Sequence, residues 1–132
     1  MTKIKTELKI MRLNLRIKAF VSTTQPDKAR DFYKEKLGLK YLSEDSYGIE
    51  FEANGTHLRI SFVEKLTPQP FTILGWNTTD IVSTIRLFNK KGISFERYTF
   101  IEQDDLGIWT APGGTRVAWF KDPDGNLLSI SD

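Results

Sequence analysis

The sequence predicts an α+β fold made of two βαβββ modules in tandem. Three observations carry that prediction. Two helix-period stretches each end in lysines and a glycine, at Leu37-Gly38-Leu39 and Lys91-Gly92-Ile93, about 54 residues apart. Each is preceded by one strand-like segment and followed by several. An Asn54-Gly55 pair between alternating apolar residues marks a tight hairpin in the first half. Neither half is large enough to bury its own sheet face, so the two are expected to pack together or to pair across a dimer.

The first module spans 17–64. Ile17–Ser22 alternates and is rich in strand formers. A helix follows, because Pro26 suits a first helical position and Asp27 complements the exposed amides there. Ala29, Phe32, Tyr33 and Leu37 make one apolar stripe, and Gly38 ends the helix. Three strands are expected next, over Leu39–Leu42, Tyr47–Glu52 and His57–Val63. The two-residue turn sets the register as Ala53 with Thr56, Glu52 with His57, Phe51 with Leu58, Glu50 with Arg59 and Ile49 with Ile60. One face then carries Ile49, Phe51, Leu58 and Ile60, and the other carries Glu50, Glu52, His57 and Arg59. A face that polar either meets water or lines a site.

The second module spans 71–131, after the proline-bearing connector Lys65–Pro70. Phe71–Asn77 reads as a strand and Asp80–Lys91 as a helix with Ile81, Ile85 and Phe88 on its apolar side. Ile93–Tyr98, Arg116–Lys121 and Leu127–Ser131 read as strands. Thr99–Gly114 is a long insertion, and structureless loops of that length are more often functional than not.

Composition narrows the chemistry. The 132 residues hold no cysteine, which excludes disulfides, thiolate metal sites and cysteine nucleophiles, and a single histidine, His57. No apolar run is long enough to cross a membrane, and the basic start lacks the apolar stretch of a signal peptide, so a cytoplasmic protein is expected. No phosphate loop, nucleophile elbow or zinc-finger spacing occurs, and Asp122-Pro123-Asp124-Gly125 lacks the further acids of a calcium loop. The net charge of +2 is unevenly spread, since residues 1–18 carry +5 and the remainder −3. Residues 1–16 read as a basic extension ahead of a single domain over 17–132, with Met11 an alternative start. Its basic residues are not interleaved with aromatics, so no nucleic-acid partner is expected.

The tandem repeat, Asp31-Phe32-Tyr33-Lys34 through Leu37-Gly38-Leu39, and Trp119-Phe120-Lys121-Asp122-Pro123-Asp124-Gly125-Asn126 together resemble the vicinal oxygen chelate superfamily. This group contains glyoxalase I, extradiol dioxygenases and the bleomycin and fosfomycin resistance proteins. The resemblance covers residues 17–131 and implies a cupped mixed sheet, helices on its convex side, a ligand pocket on the concave side, and a homodimer. Metal-dependent members place four ligands on the concave face. The matching places here are Lys18, Arg59, near Ile73, and Ser129, none of them a usual ligand, so no metal and no other cofactor is expected.

The candidate ligand-binding residues are therefore Lys18, Arg59, Glu50 and Ser129, with the aromatics Tyr98, Trp109 and Phe120. Lys18 and Arg59 form an anion site, unless Arg59 pairs with Glu50 across the hairpin. Trp109 is favoured among the aromatics because it lies on the insertion, whereas Trp119 and Phe120 suit core packing. The acids Glu102, Asp104 and Asp105 shield the pocket mouth, select a cation, or simply meet water. Two functions follow. One is a metal-independent protein of the glyoxalase/bleomycin-resistance type that binds a small anionic or aromatic molecule. The alternative is a lyase or isomerase using Lys18, Glu50 or His57 for proton transfer on a carbonyl compound.

Overall fold

The computed structural model describes residues 14–132. The basic extension and Met11 therefore fall almost wholly outside the described residues. In chain order the elements are β1 (Lys18–Thr23), α1 (Pro26–Asp31, running on as a π turn over Phe32–Lys36), β2 (Lys40–Glu44), β3 (Gly48–Ala53) and β4 (Thr56–Phe62). Then come β5 (Leu74–Asn77), α2 (Ile81–Lys90), β6 (Trp109–Thr110), β7 (Arg116–Lys121) and β8 (Leu127–Ser131).

The hairpin register forms as expected, from Ala53 opposite Thr56 to Ile49 opposite Ile60. Asn54 and Gly55 supply the positive φ values, 48° and 92°, that a two-residue turn requires. β1 pairs in parallel with β4, aligning Lys18 with His57 and Phe20 with Arg59. The first sheet has the order β1-β4-β3-β2, and the second repeats it as β5-β8-β7-β6. The expected cup is thus hydrogen-bonded as two mixed four-stranded sheets with two helices among the described residues.

The first helix departs from a plain α-helix. The Leu37 N–H donates to the Phe32 carbonyl at 2.9 Å, an i to i+5 bond. This wider turn brings the adjacent Phe32 and Tyr33 both into the core. α2 starts on Asp80, whose carboxylate accepts the Ser83 N–H at 3.1 Å.

The second module corrects one expected element. Ile93–Tyr98 is not a strand; Phe95 makes a single bridge to Phe120, and the Glu96 N–H reaches the Trp119 carbonyl at 2.7 Å. Beyond that the Gln103 side chain takes over the backbone groups. Its amide oxygen accepts the Tyr98 N–H at 2.7 Å, and its NH2 donates to the carbonyls of Glu96 at 3.0 Å and Gly107 at 2.8 Å. A side chain that satisfies these groups removes the need for a ladder partner. The place equivalent to β2 is filled instead by Trp109–Thr110, inside the expected loop and paired with Val117 and Arg116.

One core joins both halves. Ile49, Phe51, Leu58 and Ile60 from the first sheet and Ala118, Phe120, Leu128 and Ile130 from the second are buried in the same cluster as Ala29, Tyr33, Ile81 and Ile85. α1 touches both sheets, with Tyr33 6.2 Å from Phe51 and Phe32 6.3 Å from Phe120 between ring centres. At the seam the Tyr33 hydroxyl donates to the buried Asp122 carboxylate at 2.7 Å. Asp124 accepts the Thr23 hydroxyl, the Thr24 N–H and the Thr24 hydroxyl. No helix among the described residues is long and apolar enough to cross a membrane.

Candidate ligand-binding site

Strand alternation turns one face of each sheet to the helices and leaves the other face outward. In the first sheet the outward face carries Lys18 and Phe20 from β1, Glu50 from β3, and His57 and Arg59 from β4. Lys18, Glu50 and Arg59 do meet. Glu50 Oε1 lies 3.0 Å from Lys18 Nζ and 3.0 Å from Arg59 Nη1. Arg59 Nη2 reaches Asp45 at 3.2 Å. Gly48 leaves room for this, since a Cβ there would stand 3.0 Å from the Arg59 guanidinium carbon.

The two cations thus face two carboxylates, and the positive floor expected of an anion site is cancelled. Burial pushes the Glu50 pKa up, but the hydrogen bonds and charges of Lys18 and Arg59 outweigh it and hold the carboxyl below its ordinary value. Glu50 Oε2 is shut off from solvent with no hydrogen-bond partner among the described residues. His57 is exposed at the strand end beside the turn.

The outward face of the second sheet is different in character. Gly75, Trp119 and Ser129 lie side by side on β5, β7 and β8, and Trp109 stands opposite Val117. Here a pocket of about 360 Å³ opens, lined by Pro70, Phe71, Thr72, Tyr98, Phe100, Ile101, Trp109, Trp119 and Leu127. Its rings form a chain. Phe100 is 5.3 Å from Tyr98, Tyr98 is 5.7 Å from Trp119, and Trp119 is 6.1 Å from Trp109, between centres. Trp119 Nε1 donates to the Thr72 hydroxyl at 3.1 Å, which fixes the indole plane. Burial, and then the Glu96 charge, raise the Tyr98 pKa, so its hydroxyl remains protonated at neutral pH.

Of the expected aromatics, Tyr98 and Trp109 line this pocket and Phe120 does not. Phe120 is fully buried on the opposite face, against Phe88 and Phe95. Trp109 is a strand residue, not a loop residue, and owes its place to pairing with β7. Ser129 leans over Gly75, where a Cβ would meet its hydroxyl at 2.6 Å, and it is not among the residues lining the pocket. Sequence reasoning missed Phe71, Phe100 and Trp119. For Trp119 the signal existed: Ala118 and Phe120 fix the inward parity of β7, which sends Trp119 outward.

Two outward sheet faces, one charged and one aromatic, on a duplicated βαβββ unit agree with what sequence comparison finds. A profile of the Glyoxalase/Bleomycin resistance protein/Dioxygenase superfamily matches residues 16–130. The chain belongs to this superfamily. Solved structures support the fold. A putative glyoxalase family protein from Bacillus anthracis superposes with a TM-score of 0.71 at 17% identity, covering 89% of this chain and 93% of its own. A lactoylglutathione lyase from Agrobacterium tumefaciens gives 0.69 at 14%, covering 89% and 92%. A glyoxalase/bleomycin resistance protein/dioxygenase from Alicyclobacillus acidocaldarius gives 0.66 at 21%, covering 89% and 90%. No curated protein matches the chain.

The residues that the resemblance sets at metal-holding places do not fit a metal ion. Lys18 and Arg59 are cations engaged with Glu50, Ile73 offers no donor atom, and Ser129 offers one hydroxyl. A divalent ion needs several lone pairs converging on one point. Among the described residues, no group of three or more His, Asp or Glu side chains is placed to hold one.

Proposed function

We propose that this chain is a small-molecule-binding member of the superfamily that works without a metal and takes an aromatic ligand on the outward face of its second sheet. The observation that carries this reading is the pocket of about 360 Å³ walled by Tyr98, Phe100, Trp109 and Trp119. Its size and its mainly apolar lining with few polar groups suit a small planar molecule. The charged face supports an anionic ligand less well, because the carboxylates of Glu50 and Asp45 offset the charges of Lys18 and Arg59. The exposed apolar residues Phe20 (61%), Ile17 (81%) and Phe71 (58%) on or beside the outward faces support a homodimer that covers part of both.

A thermal-shift screen of aromatic and anionic compound classes tests the reading. At a ligand concentration of about 100 Kd the gain is about 2.7 kcal/mol, a rise of several degrees for a domain of this size. Aromatic compounds are expected to stabilise the protein. Trp119→Leu should abolish the shift, and Arg59→Ala should leave it intact. Loss of the hits in Arg59→Ala alone would move the site to the first sheet, and a screen without hits would reject the reading.

A second reading, a lyase or isomerase moving a proton on a small carbonyl compound, draws support from the unpartnered Glu50 Oε2. A carboxylate held below its ordinary pKa is a weaker base, however, and this favours binding over proton transfer.

A further inference from the structure

The charges around the aromatic pocket bear on what it holds. None of its nine lining residues is ionisable at neutral pH in the sense of carrying a charge, so the walls offer ring faces and alkyl groups. The face of an aromatic ring is the negative part of its quadrupole. Trp109 is shared with a second hollow of about 380 Å³, lined also by Glu102, Gln103, Asp104, Ile108 and Thr110. Neither Glu102 nor Asp104 makes a side-chain ion pair among the described residues. Three cations stand near: Arg97 donates to the Asp104 backbone carbonyl, Arg116, opposite Thr110 and within reach of the Asp104 charge, pairs with Asp132 at 2.6 Å, and Lys121, beyond Tyr98, pairs with Glu96 at 3.3 Å. An anion in this pocket would meet only ring faces and alkyl groups, with the carboxylates of Glu102 and Asp104 in the adjoining hollow across Trp109.

We propose that the pocket selects a flat organic cation, stacked against Tyr98, Trp109 and Trp119 with its charge toward Glu102 and Asp104. This rests on the reading that the pocket binds a small molecule, and it names the chemical class of that molecule. Cation–π attraction to several rings adds to apolar contact only when the ligand is charged, whereas a neutral isostere keeps the contact alone. The wall is held in place beforehand. Gln103 spans Tyr98, Glu96 and Gly107, and Asp104 Oδ1 accepts the N–H groups of Leu106 and Ile108 at 2.9 Å each. The ligand therefore meets a formed cage and does not have to order a loop.

The full-length protein is titrated with N-methylquinolinium, with quinoline, which is neutral at neutral pH, and with a quinoline carboxylate. Tryptophan quenching and calorimetry report binding, and light scattering reports oligomeric state. The cation is expected to bind about tenfold tighter than quinoline, and the carboxylate more weakly than either. Trp109→Leu keeps apolar bulk but removes a π face, and should bring the cation close to quinoline. Glu102→Gln, at an exposed residue with no hydrogen bond among the described residues, should weaken the cation alone, and it serves if the tryptophan variant does not fold. Equal affinity for cation and quinoline, both lost in Trp119→Leu, would overturn the charge selection and leave the aromatic pocket standing. No binding by any probe, or binding indifferent to both tryptophan changes, would overturn both. A change in oligomeric state in Trp109→Leu with binding unaltered would assign the rings to a second copy of the chain and also reject the proposal.

Discussion

Arg59 and Phe120 show how one side chain's surroundings decide its role. Each sits on a strand expected from the sequence, yet Arg59 is spent on Glu50 and Asp45, and Phe120 fills the core. The pairing of Arg59 with Glu50 was legible, because a two-residue turn places them opposite each other. The part played by Asp45 was not, since it depends on a loop outside the ladder. Tyr33 is a residue whose single polar atom matters. It is fully buried, and its hydroxyl is one of four donors to the Asp122 carboxylate, with the N–H groups of Asp124 and Asn126 and the Asn126 amide. Tyr33→Phe should cost about 2 kcal/mol, because it removes a buried hydrogen bond to an acidic partner and frees no packing volume. Urea denaturation with an unchanged m-value would check this; a loss well below 1 kcal/mol would mean that Asp122 finds another donor.

At the scale of elements, the segment from Ile93 to Thr110 differs most from its sequence pattern. Ile93–Tyr98 has the composition of a strand, and local propensity gave no reason to end it at Phe95. Gln103 ends it by offering the backbone three hydrogen bonds from one side chain. The chain then returns to β7 at Trp109, and this return builds the aromatic wall. Gln103→Ala should leave the core intact but loosen residues 97–108. Hydrogen exchange should then rise at Tyr98, whose N–H loses its acceptor, with protection in β7 and β8 unchanged. Ligand affinity should fall with it, since a looser wall must be ordered on binding. Unchanged protection at Tyr98 would show that the segment is held by its other bonds.

At the scale of the whole molecule, the two modules are joined by α1, by the shared core and by acids of the turn between β7 and β8. Burial raises the Asp124 pKa, but bonds from Thr23 and Thr24 outweigh it and leave it below the ordinary aspartate value. A carboxyl lowered on folding stabilises the folded state above its unfolded pKa, and that stability is lost as the pH falls through the folded value. Acid should therefore weaken the bonds of Asp124 to Thr23 and Thr24, while Asp122, whose carboxyl burial pushes up, contributes in the opposite sense. Asp124→Asn should flatten the stability–pH profile below the ordinary aspartate pKa, and a profile identical to that of the parent protein would rule out this role. Assembly is the second property at this scale. Phe20, exposed beside Lys18, is expected to sit at a homodimer interface, so Phe20→Asp should shift the light-scattering mass to that of one chain without changing the circular dichroism spectrum. A parent protein that is already monomeric would reject the dimer. The sequence by itself determined the repeat, the succession of elements along the first module, the hairpin register and the inward faces of β3 and β4, because these follow from local turn geometry and a two-residue period. Only the tertiary structure decided which cations are neutralised, where the second module's edge strand lies and which aromatics share a pocket. Those outcomes turn on contacts between residues far apart in the chain, such as Trp119 with Thr72 and Tyr33 with Asp122, and on side chains such as Gln103 that compete with the backbone ladder.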